Sequence, residues 1–179
     1  ADLIKSGKLG DIRHVNITNI GASWANPASR PRGDWWSDAA MGGGRLGANG
    51  SHQVDMLRWW LGEPKSVIGQ ALTVIPDRVC KNTGEAWTAT ADDLAHFTLE
   101  MASGALAQVF MSGVAAANMG NETLIFGSKG TIRLSNGNEK LFLAKVGEDF
   151  RDISVEDPHA SLGDLNAGIW NVSVLAALQ

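Results

Sequence analysis

Cysteine, basic charge and long apolar runs are all scarce in this sequence, and each shortage excludes a class of protein. Cys80 is the only cysteine among 179 residues, so the chain can form neither an intrachain disulfide nor a cysteine-rich metal site. A net charge of −4 argues against a nucleic-acid or anionic-membrane partner, because either would attract a basic face. No apolar run approaches the length of a membrane span, about 18 residues. We therefore expect a protein of the reducing cytoplasm.

An initiating methionine and a dinucleotide-binding fingerprint are also missing. The chain begins ADLIKSGKLG, stops inside the helical pattern NVSVLAALQ and shows no signal peptide, so we expect one domain, residues 1–179, cut from a longer protein. The stretch GGGRLG follows no strand that turns into a helix at Rossmann spacing, and no acidic residue follows about 20 residues later, after a second strand. We therefore predict no cofactor-binding residue in this chain.

Hydrophobic patterning predicts an α+β fold, an open, mostly antiparallel β-sheet with helices packed on one face. The clearest strand is LAHFTLEM, 94–101, in which apolar and polar residues alternate as in a half-buried strand. Ser103-Gly104 makes a two-residue turn into a second strand near 105–114. Further strands are predicted at 11–24, 66–75, 122–137 (with a turn inside it) and 141–146, and helices at 2–7, roughly 50–61 and 161–178. Consecutive strands joined by tight turns favour antiparallel pairing, and helices cover one side of such a sheet.

The helix predicted over 50–61 begins with the residues that carry most of the functional signal. Asn49 suits the N-cap, which places His52 near the third helical position. The positive end of the helix dipole disfavours an imidazolium there, and a neutral imidazole is what a general base needs near pH 7. Asp55, one turn later, favours the charged form instead, and it could orient the ring or bind a substrate hydroxyl. Helical periodicity places Val54, Leu57 and Leu61 on one face, and His52, Asp55 and Trp59 on the other.

Spacing alone does not make His52 catalytic. It favours a simpler interpretation, a partly buried histidine near a helix end with a hydrogen-bonded partner. A metal site is not predicted, because the H-x-x-D spacing supplies at most two ligands and no third ligand is marked out by the sequence.

The loop predicted over 25–44 is rich in tryptophan and arginine. Trp36, together with Arg30 and Arg32, could form a wall on which a sugar ring stacks. Alternatively, the tryptophans cover a core beneath the long loop, and for Trp36 both interpretations stay open.

Five stretches of the chain, taken in order, carry a family signature. They are IKSGKLGDIRHV at 4–15, DWWSDAAMGGGRL at 34–46, GSHQVDMLRWWLGEPKSV at 50–67, SGALAQV at 103–109 and FGSKGTIRL at 126–134. The third contains a G-x-H-x-x-D pattern followed by Gly-x-Pro. Together they resemble the second domain of the glucose-fructose oxidoreductase, inositol dehydrogenase and rhizopine-catabolism (Gfo/Idh/MocA) proteins, and the resemblance covers nearly the whole chain.

The resemblance implies a cytoplasmic enzyme of two domains that oxidises or reduces a carbon of a sugar or polyol by hydride transfer. An N-terminal Rossmann domain, absent from this chain, would bind NAD or NADP. This domain would supply the substrate site, pair two subunits as a homodimer through its sheet, and be inactive by itself. His52 matches the family's catalytic histidine, which acts in or assists acid/base chemistry. Asp55 matches an aspartate that often touches substrate, and Asn49, Trp36 and Arg32 are expected to bind substrate as well.

One position departs from the family pattern. Many family dehydrogenases carry an aspartate four residues before the histidine, where this chain has Ala48. A carboxylate partner of the His52 imidazole is thereby lost, which leaves the substrate open and allows a weaker or altered acid/base role. Two alternatives to a sugar oxidoreductase follow: a catalytically silent binding or assembly domain of the same fold, and a relative of the family's NAD-dependent glycosidases.

Overall fold

The structure is a computed structural model that describes residues 1–135 and 140–155. Its helices are α1 (Asp2–Lys5) and α2 (Ser51–Leu61). Its strands are β1 (Ile12–Ile20), β2 (Pro64–Leu72), β3 (Asp77–Val79), β4 (Ala86–Thr88), β5 (Leu94–Met101), β6 (Leu106–Ser112), β7 (Gly120–Gly127), β8 (Gly130–Ser135), β9 (Lys140–Lys145) and β10 (Arg151–Asp152). The helix predicted over 161–178 lies outside the described residues.

Eight of these strands form one open sheet in the order β10-β9-β8-β7-β1-β6-β5-β2. Neighbouring strands in it are antiparallel except β1 and β6, which run parallel with His14 opposite Leu106 and Ile20 opposite Ser112. Strands β3 and β4 form a separate hairpin outside this sheet. The predicted α+β fold with an open, mostly antiparallel sheet is therefore confirmed.

One face of the sheet and one face of α2 make the core. On β5 the four residues that alternate towards the helix, Ala95 to Met101, are at most 4% exposed. Leu57 of α2 is fully buried, and Val54 and Leu61 pack against the same core. Burial of one such large apolar side chain stabilises the fold by roughly 1.5–3 kcal/mol. Because this face of α2 is occupied, its opposite face is left for solvent or a ligand.

The predicted strand over 11–24 ends at Ile20, four residues early. The backbone N–H of Gly21 donates to the carbonyl of Ser112 (2.8 Å), and the N–H of Trp24 donates to the carbonyl of Gly113 (2.8 Å). The chain therefore turns across the end of β6, which buries Trp24 beneath the loop at 3% exposure.

The predicted strand over 66–75 ends at Leu72 because a side chain captures the backbone that follows. The carboxylate of Asp93 accepts hydrogen bonds from the N–H groups of Val74 (2.7 Å) and Ile75 (3.0 Å). These two N–H groups therefore do not pair with a neighbouring strand. The chain continues into the β3–β4 hairpin, which the hydrophobic pattern did not predict.

Candidate functional site

Three consecutive glycines, 42–44, fold the long loop back onto itself before the helix. Gly42 adopts a left-handed conformation (φ 76°), and Gly44 has φ 110°. A Cβ at Gly43 would lie 2.2 Å from the carbonyl oxygen of Trp35, and one at Gly44 would lie 2.1 Å from Oδ1 of Asp92. No side chain fits at Gly43 or Gly44, and the left-handed φ of Gly42 is one that other residues rarely adopt, so glycine is favoured at all three positions.

The helical run begins earlier than predicted, with a π-helical turn at Leu46–Gly50 that continues directly into α2. The carboxylate of Asp92 accepts the N–H of Leu46 (2.8 Å) at the start of this run. Asn49 therefore lies inside the run, and its prediction as the N-cap is wrong. Its side chain instead accepts a hydrogen bond from Nη1 of Arg45 (3.3 Å).

The position of His52 changes accordingly. It lies in the second turn of the helical run rather than at its first N–H groups, so the helix dipole cannot be the reason for a neutral imidazole there. The sequence missed this start because Gly47 and Gly50 are poor helix formers. Gly50 is tightly packed, since a Cβ there would approach Leu46 Cδ1 at 3.0 Å and Met111 Cε at 3.2 Å.

The outward face of α2 carries the predicted polar residues. His52, Asp55 and Trp59 are all exposed, as the helical periodicity predicted. Further along, Nη2 of Arg58 donates to Oε1 of Glu63 (2.6 Å), and this hydrogen bond raises the Arg58 pKa, with a smaller contribution from Asp55. The face is therefore charged and open, and His52 and Asp55 can meet a ligand that arrives from solvent.

Arg45 connects this helix to the end of the sheet. Its Nη1 donates to Asn49, its Nη2 donates to Oγ of Ser23 (3.2 Å), and its guanidinium lies 5.3 Å from the ring centre of Trp24. Its Nε is buried and has no hydrogen-bond partner among the described residues. Burial is the main cause of a lowered Arg45 pKa, and the carboxylate of Asp92 partly offsets it.

A polar cleft of about 510 Å³ opens beside Arg45. Its walls come from the end of β1, the following turn and the start of β7, namely Asn19, Ile20, Gly21, Ala22, Ser23, Asn118, Gly120 and Asn121. Guanidinium and amide groups donate hydrogen bonds to oxygen, so the cleft is suited to hydroxyl or carboxylate groups of a ligand. Sequence analysis missed Arg45, although it lies four residues before Asn49 and seven before His52, a spacing that marks one helix face.

Trp36 belongs to a cluster of aromatic and guanidinium groups under the loop. Its ring is 4.7 Å from that of Trp35 and meets Trp24 edge-on at 6.3 Å. The guanidinium of Arg30 lies 5.8 Å from the Trp36 ring and is ion-paired with Asp34. Trp36 is half-buried, so these contacts favour a packing role for its ring, and its predicted substrate contact stays a prediction.

Arg32 lies in a different place. Its guanidinium is exposed and 3.6 Å from the carboxylate of Glu85, and it lines a second cleft built by the loop and the β3–β4 hairpin. The five predicted site residues thus form two groups. Asn49, His52 and Asp55 share the helical run, whereas Trp36 and Arg32 belong to the loop.

Residues 1–135 and 140–155 contain neither a preformed metal site nor a membrane-spanning helix. No group of three or more His, Cys, Asp or Glu side chains in these ranges is arranged to hold a metal ion. None of the helices described there has the length and apolar character that crossing a membrane requires.

Comparison with known proteins gives consistent matches. A family model described as the GFO/IDH/MocA C-terminal domain matches residues 1–133. An uncharacterized oxidoreductase from Synechocystis sp. is 29% identical over 165 residues, which cover 87% of this chain and 43% of the relative. Among solved structures, an oxidoreductase domain protein from Kribbella flavida is 28% identical with a TM-score of 0.75, covering 88% of this chain and 43% of that chain.

A levoglucosan dehydrogenase in complex with NADH and L-sorbose has the same fold. It is 24% identical with a TM-score of 0.77, covering 86% of this chain and 43% of that chain. The chain therefore spans less than half the length of each of these three relatives.

Proposed function

The chain belongs to the GFO/IDH/MocA family as an oxidoreductase C-terminal domain, and on that premise we propose that it supplies the substrate-binding and acid/base half of an NAD(P)-dependent sugar or polyol oxidoreductase. The observation that carries the proposal is the exposed His52–Asp55 face of α2, which the helical run joins to the polar cleft beside Arg45. The levoglucosan dehydrogenase of the same fold, in its complex with NADH and L-sorbose, supports the choice of cofactor and substrate class. We place the protein in the cytoplasm.

The glycine-rich stretch of this chain does not fit a dinucleotide. A phosphate-binding loop needs N–H groups that point at the ligand. Here the N–H of Gly43 donates to the carbonyl of Asp38 (2.9 Å), and the N–H of Gly44 donates to the carbonyl of Trp36 (3.0 Å). Residues 1–179 would therefore form one substrate-binding and dimerisation domain, and NAD or NADP would be bound by an N-terminal Rossmann domain outside this chain.

The residues of this chain would handle the substrate and its proton. Interconversion of an alcohol and a carbonyl requires a proton to leave or join the hydroxyl oxygen while hydride leaves or joins the carbon. The His52 imidazole would exchange that proton, and Asp55 would bind a neighbouring hydroxyl. Asn49, which Arg45 holds through its carboxamide oxygen, would keep its NH₂ group for a substrate oxygen.

Ala48 supports a second candidate function, a catalytically silent binding or assembly domain. A methyl group at this position cannot orient or charge-stabilise the His52 imidazole as a carboxylate would. The two candidates differ in what His52 does, because only an oxidoreductase needs its imidazole to exchange a proton.

The distinguishing experiment is His52→Ala in the full-length protein, that is, this chain together with its dinucleotide-binding domain. We expect kcat to fall by roughly 10²–10⁴, as loss of a positioned acid/base group does, with the circular dichroism spectrum unchanged. Ser51→Ala, an exposed neighbour on the same helix, is the matched control and should retain activity. Unchanged turnover in His52→Ala would leave His52 a structural residue, and absence of turnover in the wild type would favour the silent domain.

We also propose that two copies of the chain pair through the outer face of the sheet. Leu106 (50% exposed) and Phe110 (37% exposed) lie on the side of β6 opposite the core. Ile68, on the edge strand β2, is 77% exposed. Solvent-exposed apolar side chains on one sheet face favour an interface, and two-fold pairing is the commonest symmetry.

A further inference from the structure

The polar cleft beside Arg45 presents a positive charge, and none of the described residues that line it is negatively charged. Its other polar side chains are a hydroxyl and three carboxamides, those of Ser23, Asn19, Asn118 and Asn121. The second cleft differs in this respect, because Asp34 and Asp38 both line it. The cleft beside Arg45 is therefore the one of the two whose charge suits an anionic group.

Arg45 is a half-buried arginine whose charge the fold does not pair. Two other described arginines are at least partly buried, and each is ion-paired, Arg30 with Asp34 and Arg78 with Asp93. Arg45 forms no ion pair with any carboxylate of the described residues. A charge that is removed from water costs free energy unless it is paired. An anion that enters from solvent would therefore supply what the fold does not.

Two neighbours offset the Arg45 charge only in part. The ring of Trp24 lies 5.3 Å from the Arg45 guanidinium, but it lies 5.6 Å from the guanidinium groups of Arg30 and Arg78 as well, so three cations share one aromatic ring. Asp92 opposes the lowering of the Arg45 pKa, yet burial has the larger effect on that pKa. The positive charge therefore remains available to a ligand.

The donor of Arg45 that faces the cleft is Nη2. It donates to Oγ of Ser23 (3.2 Å), and a Cβ at Gly21 would lie 3.4 Å from it, and both of these residues line the cleft. Nη2 carries a second hydrogen, for which the described residues supply no acceptor. On the same cleft, Oδ1 of Asn118 accepts the N–H of Gly120 (3.2 Å), which leaves the Asn118 NH₂ group to donate.

We propose that the substrate of this cleft carries a carboxylate, which Arg45 and Asn118 bind, so that the enzyme acts on a polyhydroxylated acid rather than on a neutral sugar or polyol. A single cation matches a carboxylate better than a phosphate dianion, since no lysine or second arginine of the described residues lines the cleft. Arg45 precedes His52 by seven residues, roughly 10 Å along a helix axis. The carboxylate and the reacting carbon would therefore be separate parts of the substrate.

This inference rests on the proposed function for the reaction, but the preference for a carboxylate is measured as binding alone. The ¹⁵N-labelled 179-residue chain is titrated and followed by NMR at the backbone amides of Gly21, Ser23 and Gly120. The main probes are D-gluconate and D-glucitol, which share their carbon chain and hydroxyl pattern and differ in one terminal group, a carboxylate or CH₂OH. Inorganic phosphate is the third probe, and each is added up to about 100 mM at constant ionic strength, which detects millimolar dissociation constants. We expect gluconate to bind at least about tenfold more tightly than glucitol, because hydrogen bonds between charged groups are the stronger ones.

Substitutions connect this preference to the cleft. Asn118 is exposed, and in Asn118→Asp the Oδ1 atom can still accept the N–H of Gly120, so the fold should persist. The added negative charge should weaken gluconate binding about fivefold or more and leave glucitol binding unchanged. Asn82→Asp makes the same change of charge in the turn of the β3–β4 hairpin, outside the cleft, and should affect neither probe. Arg45→Gln, with its fold checked by circular dichroism, should lower the affinity for gluconate to about that for glucitol.

The proposal is overturned if glucitol binds as tightly as gluconate, if phosphate binds more tightly than gluconate, or if no probe gives a saturable shift. Unchanged gluconate affinity in Asn118→Asp would overturn it as well. A preference for glucitol would leave the proposed oxidoreductase intact with a neutral substrate. The preference for gluconate should persist in His52→Ala, so a failure of the catalytic proposal is distinguished from a failure of this one.

Discussion

The ion pair between Arg78 and Asp93 is the most deeply buried charge interaction of the described residues. Its side chains are 1% and 0% exposed, and Nη2 of Arg78 lies 3.1 Å from Oδ2 of Asp93. The same carboxylate accepts the N–H groups of Val74 and Ile75, and Nε of Arg78 donates to the carbonyl of Ile75 (3.1 Å). The pair therefore holds the hairpin that forms one wall of the second cleft against the start of β5.

Asp93→Ala should be among the most destabilising single substitutions in the chain. Removal of one partner leaves the other charge buried without compensation, which costs about 3–5 kcal/mol. Two backbone donors also lose their acceptor, at about 1–3 kcal/mol each. Burial already lowers the pKa of Arg78, and Asp93 is the main group that opposes this effect. Since domains are stable by only about 5–15 kcal/mol, we expect Asp93→Ala to lose at least about 4 kcal/mol and to be largely unfolded if the starting stability is low.

Urea denaturation of the 179-residue chain, followed by tryptophan fluorescence, measures this loss. Asp77→Ala removes an exposed aspartate next to Arg78 and should change the free energy of unfolding by no more than about 0.5 kcal/mol. Arg78→Met combined with Asp93→Asn should be less destabilised than Asp93→Ala, because no buried charge is left and the amide oxygen still accepts one of the two backbone N–H groups. A loss below about 1 kcal/mol in Asp93→Ala would refute the argument.

Three further predictions concern the cofactor, the cysteine and the sheet face. The isolated chain should not bind NAD or NADP in calorimetric titration, and a micromolar dissociation constant would contradict this. Hydrogen bonds lower the pKa of the Cys80 thiol to about 7, and the one from the backbone N–H of Arg32 contributes most. This lowering stabilises the fold fully above the unfolded pKa of about 8.5, and the contribution is lost as pH falls through 7. The urea midpoint of the wild type should therefore rise relative to that of Cys80→Ala between pH 6 and pH 9, and a constant difference would oppose the prediction. The chain should sediment as a dimer at about 100 μM, because this concentration lies above the micromolar dissociation constant of a standard-size interface. Leu106→Lys with Phe110→Lys should make it monomeric, and a monomeric wild type would reject the interface.

Those parts of the fold that depend on local pattern could be predicted from sequence. The strand at 94–101 was placed with its correct bounds because alternation of apolar and polar residues reports a sheet with one buried face. The β3–β4 hairpin was missed, since strands of three residues are too short to show alternation. The parallel pairing of β1 with β6 was also missed, because residues about 90 positions apart leave no local signal of their contact.

The sequence predicts candidate residues for the site but not how they are arranged, because the arrangement depends on contacts between residues far apart in the chain. Two glycines in the π-helical turn favour a later start of the helix, yet the turn forms and packs so closely that a Cβ at Gly50 would lie 3.2 Å from Cε of Met111. Arg45 reaches Ser23 because Gly113 leaves room for it, since a Cβ at Gly113 would lie 2.8 Å from Nε of Arg45. Such mutual fits involve residues far apart in the chain, so sequence spacing alone cannot reveal them.

The earlier start of the helix removes one of the reasons for which the sequence predicts a reactive His52. At the first N–H groups of a helix, the dipole alone would favour the neutral imidazole. In the second turn this effect is weak, because it declines beyond the first turn, and Ala48 supplies no carboxylate in its place. Neither the helix start nor residue 48 therefore supplies the effect on His52 that the spacing or the family pattern suggested. If His52 exchanges the substrate proton, as proposed, we expect the pH profile of kcat in the full-length protein to change in Asp55→Asn, and an unchanged profile would oppose a role for Asp55 beside it.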